Sequence, residues 1–149
     1  MSRTMYLAIF SNGPRPAHQS IFIPTGNNGK KGKLIHIDGN PAYGFWLEFL
    51  RNFDFDDFVS LFLVVELGLV EGQYVKDIPG NGKQSKDTIA RDRLESVATM
   101  VPPPGRSLNP FDPANWADEY VRKLVEEGYL DTKTIAVFEN APKVLREND

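Results

Sequence analysis

The pattern of apolar and polar positions predicts mainly strands in the first half of the chain. Met5–Phe10 is short and wholly apolar, which is typical of a strand buried on both faces. His18–Pro24 and Lys33–Asp38 are apolar runs that flank a loop of Gly, Asn and Lys, and this arrangement predicts a β-hairpin. The aromatic-rich residues 45–58 and the β-branched run Val59–Leu67 predict two further strands, of which the second is expected to be central.

In the second half of the chain, apolar residues recur at helical spacing. Ser85–Val101 carries apolar residues on one face and ends at three consecutive prolines, which predicts a helix. A second helix is expected to begin at about residue 113, with Asp112 as its N-cap, and to end at Gly128. Thr132–Phe138 predicts a last short strand. Together these elements describe one α+β domain over residues 1–149, with two main helices packed on an antiparallel sheet of four to five strands.

Composition narrows the chemistry. The 149-residue chain contains no cysteine, so it forms no disulfide, no thiolate nucleophile and no cysteine-ligated metal site. The net charge of −3 argues against non-specific nucleic-acid binding, and three lysines near residue 31 give only a local basic tip. No apolar run reaches the roughly 18 residues of a membrane span, and the N-terminal run is too short for a signal peptide. We therefore expect a cytoplasmic protein with no membrane span, no nucleic-acid partner and no cofactor.

Both histidines of the chain fall in the predicted hairpin. Opposite residues of an antiparallel pair share a face, and a register that pairs His18 with His36 centres the turn on Asn27. Imidazole is both an acid and a base near neutral pH, so two imidazoles on one face suit general acid–base chemistry. The alternatives are two ordinary strand residues or a metal site. No third ligand occurs at a recognisable spacing, and we expect no metal.

The entry into the second predicted helix, within residues 108–130, is another candidate site. A helix N-terminus offers free N–H groups and a partial positive charge, which suit an anion or an oxyanion. The simpler interpretation is an amphipathic helix that packs Trp116 and Tyr120 on the sheet, and we expect both side chains in the core.

Four segments carry a resemblance to a known family. They are "AHQSIFIP", "GKLIHIDG", "VPPPGRSLNPFDP" and "WADEYVRKLVEEGYL", which span most of residues 5–130 with the spacing between them. The chain resembles an uncharacterised family of small fungal proteins. More distantly, it is similar to the permuted papain-like group of lecithin:retinol acyltransferases and NlpC-like peptidases. In that group the histidine strands come first and a nucleophilic cysteine opens a later helix, so the resemblance implies a permuted papain-like fold.

The resemblance also implies roles for individual residues. His18 matches the general base and His36 the second, orienting polar residue. Asp112–Asn115 stand where the fungal family has Asn-Cys-Gln-x, so that either Pro113 occupies the place of the cysteine or the motif has been deleted. Gln19 replaces the aromatic residue that usually follows the first histidine. The nucleophile is therefore missing, and the thiol chemistry of the group is excluded.

Two main functional hypotheses follow. The first is a catalytically degenerate papain-like domain, a pseudoenzyme, that acts as a binding or scaffold protein through a cleft between the histidine hairpin and the 114–128 helix. Its binding residues are then Gln19, Ser20 and Asn115, and its partner is a small molecule or a protein. The second is a cysteine-independent enzyme, such as a small-metabolite isomerase or cyclase, that uses His18 and His36 for proton transfer.

A hydrolase with a hydroxyl nucleophile is a third, weaker hypothesis. Ser107 lies well before the predicted helix along the chain. Ser20 is two residues from His18 on the same strand face, about 7 Å away at the standard rise, which is beyond hydrogen-bond reach.

Overall fold

The structure is a computed structural model that describes residues 1–25, 29–109 and 115–145. The described residues form an open antiparallel sheet of six strands with three α-helices. The strands are β1 (Ser2–Phe10), β2 (His18–Pro24), β3 (Lys31–Asn40), β4 (Gly44–Asp54), β5 (Phe62–Glu71) and β6 (Ser85–Asp87), and the helices are α1 (Arg93–Ala98), α2 (Trp116–Glu126) and α3 (Lys133–Glu139). The strand order is β5-β1-β2-β3-β4-β6. The α+β class is confirmed, whereas the sheet is larger than predicted.

Side-chain alternation gives the sheet two differently covered faces. Ile21 pairs with Ile35, and Ile35 pairs with Phe49. All three belong to the main apolar core, which also contains the buried residues of α1, α2 and α3. Because successive strand residues point to opposite faces, the neighbouring residues of these strands face away from the helices.

The face away from the helices carries a second apolar cluster rich in phenylalanine. Residues 55–61 connect β4 to the edge strand β5 and pack across this face of the sheet. Its Phe55 ring lies 4.8 Å from the Phe22 ring, and its Phe58 ring lies 4.9 Å from the Phe10 ring, measured between centroids. Both faces of the central strands are therefore covered, as predicted for the apolar run of β1.

Three local predictions are wrong. Ser85–Val101 is helical only over Arg93–Ala98, because Ser85–Asp87 pairs with β4 and the Asp92 side chain caps the helix. Thr132–Phe138 was expected to be a strand, but most of it belongs to α3, in which the buried residues Thr134 and Phe138 are four positions apart, as on one face of a helix. The run expected to form a central strand begins pairing at Phe62 as β5, and β5 lies at an edge of the sheet.

A buried cluster of charges joins the sheet to α1. Glu95 is fully buried and accepts hydrogen bonds from Lys33 of β3 (Nζ to Oε2, 2.6 Å) and from Arg51 of β4 (Nη2 to Oε1, 2.9 Å). Lys33 also donates to Asp92 at the start of α1. Burial raises the pKa of Glu95, but the hydrogen bonds from Arg51 and the positive charge of Lys33 outweigh this effect, so that the pKa is lowered overall.

Helix α2 agrees with its prediction at the C-terminal end, but it begins at Trp116, with Asn115 as N-cap, and so later than the expected start at about residue 113. It ends at Glu126, and Gly128 follows in the left-handed conformation (φ 86°) that glycine adopts without strain. Trp116 and Tyr120 are buried, and their polar atoms are satisfied: Trp116 Nε1 donates to the Val101 carbonyl (2.8 Å) and Tyr120 Oη to the Leu94 carbonyl (2.7 Å). Their assignment to the core is confirmed. The expected N-cap Asp112 lies outside the described residues.

Replacing Trp116 with Ala is expected to lower the free energy of unfolding by about 3–5 kcal/mol. The reason is that the indole is 1 % exposed and belongs to the main apolar core, where it stacks on the Tyr120 ring. Urea denaturation followed by circular dichroism measures this loss. Tyr43→Ala is the control, because its ring is 77 % exposed. That change should cost less than about 0.5 kcal/mol. An unchanged transition midpoint for Trp116→Ala would contradict the core assignment.

Candidate functional site

The two strands of the histidine hairpin are paired at one end only. β2 and β3 pair from Ile21 opposite Ile35 to Pro24 opposite Gly32. Beyond Ile21, β2 stays paired with β1 as far as His18, and β3 stays paired with β4 as far as Asn40. In this outer half, β2 is thus paired with β1 and β3 with β4, but β2 and β3 are not paired with each other.

An open cleft of about 920 Å³ lies at this unpaired end of the sheet. On the face away from the helices its lining combines apolar side chains with imidazole and carboxylate groups: Leu34, Leu50, His18, His36, Asp38 and three phenylalanines, Phe10, Phe53 and Phe58, which we call the phenylalanine floor. Its lining on the helix side includes Gln19, Asn115, Trp116, Phe138 and Lys143. The cleft therefore has walls from both the histidine hairpin and the start of α2, as the first hypothesis requires.

The two histidine rings are in contact, with centroids 5.8 Å apart and planes at 85°. Their strands are neighbours, so the prediction that both imidazoles share one sheet face is confirmed. The predicted register is wrong by two residues: extending the observed pairing places Ser20 opposite His36 and His18 opposite Asp38. The turn position Asn27 lies outside the described residues.

Next to the histidines, His36 and Glu48 form an incomplete pair. They are directly opposite on β3 and β4, and both are buried, at 8 % and 6 % exposure. His36 Nε2 lies 3.4 Å from Glu48 Oε1, which is long for a hydrogen bond, while Trp46 Nε1 donates to Glu48 Oε2 at 2.8 Å. Within the described residues, neither His36 Nε2 nor Glu48 Oε1 has a hydrogen-bond partner, and the same is true of the buried Ser20 Oγ.

Burial favours the neutral form of both imidazoles. Desolvation, together with a smaller effect of the neighbouring His18, lowers the pKa of His36 to about 4, although Glu48 and Asp38 act to raise it. Desolvation also lowers the pKa of His18, against the opposing charge of Asp38 and a hydrogen bond to the Ile37 backbone. Both imidazoles therefore have a pKa below the usual histidine value of 6.5.

The other predicted binding residues are divided between the two faces. Gln19 lies on the helix side of the sheet, because it is opposite Ile9, whose side chain belongs to the main core. Asn115 directly precedes α2, and Gln19 and Asn115 both line the cleft. Ser20 is fully buried on the histidine side and does not line it. The histidine rings therefore point away from the sheet face on which α2 packs.

Sequence reasoning missed Asp38, Glu48 and the phenylalanine floor. One signal was present: Glu48 is a single carboxylate inside the apolar run "FWLEFL", and a charge in a buried strand needs a partner or a function. Its position beside His36 depends on the β3–β4 register, which the sequence did not define.

One comparison with known proteins gives a match. A family model described as a family of unknown function (DUF6540) matches residues 5–131. The chain belongs to this family. No curated protein and no solved structure matches it. The expectation of an uncharacterised family is confirmed, and the DUF6540 match covers both histidines and the start of α2.

The described residues contain neither a cluster of metal ligands nor a membrane-spanning helix. No three histidine or acidic side chains come together there in a way that would hold a metal ion. No helix in the same residues has the length and apolar character needed to cross a membrane.

Lowering the pH from 7 to 5 is expected to destabilise the fold. In the unfolded chain His36 binds a proton at its usual pKa of 6.5, whereas the folded protein resists protonation until about pH 4. The unfolded state therefore gains protons first, and stability is lost as the pH falls through this window. The loss from His36 by pH 5 should be about 2 kcal/mol. Urea denaturation at both pH values should show a smaller loss for His36→Gln; equal losses would contradict the lowered pKa.

Proposed function

We propose that this DUF6540 domain is a binding protein that holds a small molecule in the cleft at the open end of its sheet, without thiol catalysis. The observation that supports this most is the cleft itself. Its volume of about 920 Å³ lies within the range of small-molecule sites. Its lining combines an aromatic floor with a few polar groups, which is the usual composition of such sites.

The proposal includes descent from a permuted papain-like enzyme that has lost its nucleophile. In support, His18 and the first residues of α2 line the same cleft. The orientation of the rings argues the other way, because alternation along β3 turns His36 away from the face on which α2 packs. The papain-like ancestry and the likeness to fungal proteins are thus secondary to the binding proposal.

Proton-transfer catalysis in the same cleft is the second candidate function. It is favoured by two neutral imidazoles, one of them beside a carboxylate, in a cleft that is open to solvent. A neutral imidazole accepts a proton, so His18 would act as general base and the rate should rise with pH below 6.5. A hydroxyl nucleophile has less support, since Ser20 is fully buried and Ser107 is not part of the cleft lining.

Ligand binding can be followed by tryptophan fluorescence. The chain has two tryptophans, and a Trp46→Phe variant leaves Trp116, which lines the cleft, as the sole reporter. A library of small aromatic compounds of different charge should contain members that change Trp116 emission saturably. If no member does so, the binding proposal loses its main support.

His18→Ala separates the two candidate functions. If the domain only binds, the variant should keep the affinity for a library hit within about tenfold, because one hydrogen bond contributes about 1 kcal/mol. If the domain catalyses proton transfer, turnover of that compound should fall by about 10² to 10⁴ with the fold intact. Gln73→Ala, an exposed change outside the cleft, is the control. Turnover by the wild type that His18→Ala abolishes would overturn the binding-only proposal.

A further inference from the structure

Two histidines and two carboxylates are neighbours on one side of the cleft. His18, His36 and Asp38 line the cleft, whereas Glu48 lies beside His36 and does not line it. Burial favours the neutral form of both imidazoles, and this group contains no lysine or arginine. The basic residues that line the cleft are Arg15, from the β1–β2 connection, and Lys143, which follows α3 and lies over the Phe138 ring.

Glu48 is the residue that most needs a partner. It is 6 % exposed, and Trp46 satisfies only its Oε2 atom. Among the described residues no lysine or arginine forms an ion pair with it, and the nearest basic group is the His36 ring at 3.4 Å. A buried carboxylate with no cation is costly to keep, and native proteins rarely do so without a functional reason. Glu95, by contrast, is also buried but forms ion pairs with both Lys33 and Arg51.

We infer that the ligand of this cleft carries a cationic ammonium or guanidinium group on an apolar body. This inference rests on the proposed binding function and names the class of its ligand. The cation lies beside Asp38 and His36, with Glu48 behind His36, and the apolar body packs on the phenylalanine floor.

The groups beside the cleft suit the same chemistry. The Asp38 carboxylate lines the cleft and can accept hydrogen bonds, and Glu48, which does not line it, adds negative charge behind His36. An ammonium has three donors and no acceptor. Aromatic rings such as Phe10, Phe53 and Phe58, which line the cleft, also attract cations through their faces. An anionic ligand in the same place would lie against the Asp38 carboxylate, with Glu48 behind His36.

Three probes of matched shape test the inference: 2-phenylethylamine, 2-phenylethanol and phenylacetate, titrated calorimetrically into the full chain at pH 7. The amine should bind at least tenfold more tightly than the alcohol, and phenylacetate should bind least. Asp38→Asn and Glu48→Gln should each weaken amine binding by about tenfold and leave alcohol binding within twofold. Glu66→Gln, the control, removes an exposed carboxylate of β5 that does not line the cleft, and should change neither affinity by more than twofold.

Glu48→Gln has a second readout that a purely structural residue would not give. Removing an unpaired buried charge should raise the melting temperature of the ligand-free protein while amine binding is lost. A lowered melting temperature would show that Glu48 is already satisfied, and would overturn the inference.

The outcomes also separate the inference from the proposed function. Equal or tighter binding of the alcohol or the acid would overturn the cationic class and leave binding in the cleft intact. Absence of binding by all three probes would count against both.

Discussion

Alternation of side chains along β2, β3 and the first part of β4 is the constraint on which the rest of this structure depends. Ile35 and Ile37 must lie under the helices to form the core, and this requirement turns His36 to the other face. The same rule places Ser20 and Glu48 on the histidine side, whereas Phe53 reaches that side after a register shift in β4 and Phe58 reaches it from the β4–β5 connection. A shift of one residue in the register would exchange the two sets and bury imidazole and carboxylate groups beneath α2.

The two ends of the hairpin differ in a way that links stability to function. At the closed end, β2 and β3 are paired, and Glu95 ties β3 and β4 to α1 through ion pairs with Lys33 and Arg51, although Arg51 Nε has no hydrogen-bond partner within the described residues. At the open end the ladder between β2 and β3 stops, and buried polar atoms are left without partners. The buried carboxylate at the closed end, Glu95, thus has two cationic partners, whereas Glu48 at the open end has only the His36 ring beside it within the described residues, and a ligand is proposed to bind at that end.

Sequence reasoning recovered what short-range patterns define. The hairpin, the shared face of the histidines, α2 and the burial of Trp116 all follow from local periodicity and turn residues. The errors arise where tertiary contacts decide. Ser85–Asp87 has the composition of a helix start but pairs with β4, where Arg51 holds Asp87. The β-branched residues before Phe138 suggested a strand, but their burial follows helical spacing in α3. Glu48 and Asp38 were missed because their positions beside the histidines depend on the strand register and on burial.

The protonation state of His36 tests the account most directly, because a protonated His36 would neutralise Glu48 and remove the need for a cationic ligand. The chain has only two histidines, so ¹⁵N chemical shifts of its imidazole rings can be assigned by comparison with His18→Ala. The account predicts that both rings of the ligand-free protein give the shifts of neutral imidazole at pH 7, with His36 protonated only near pH 4. An imidazolium signal from His36 at pH 7 would contradict it.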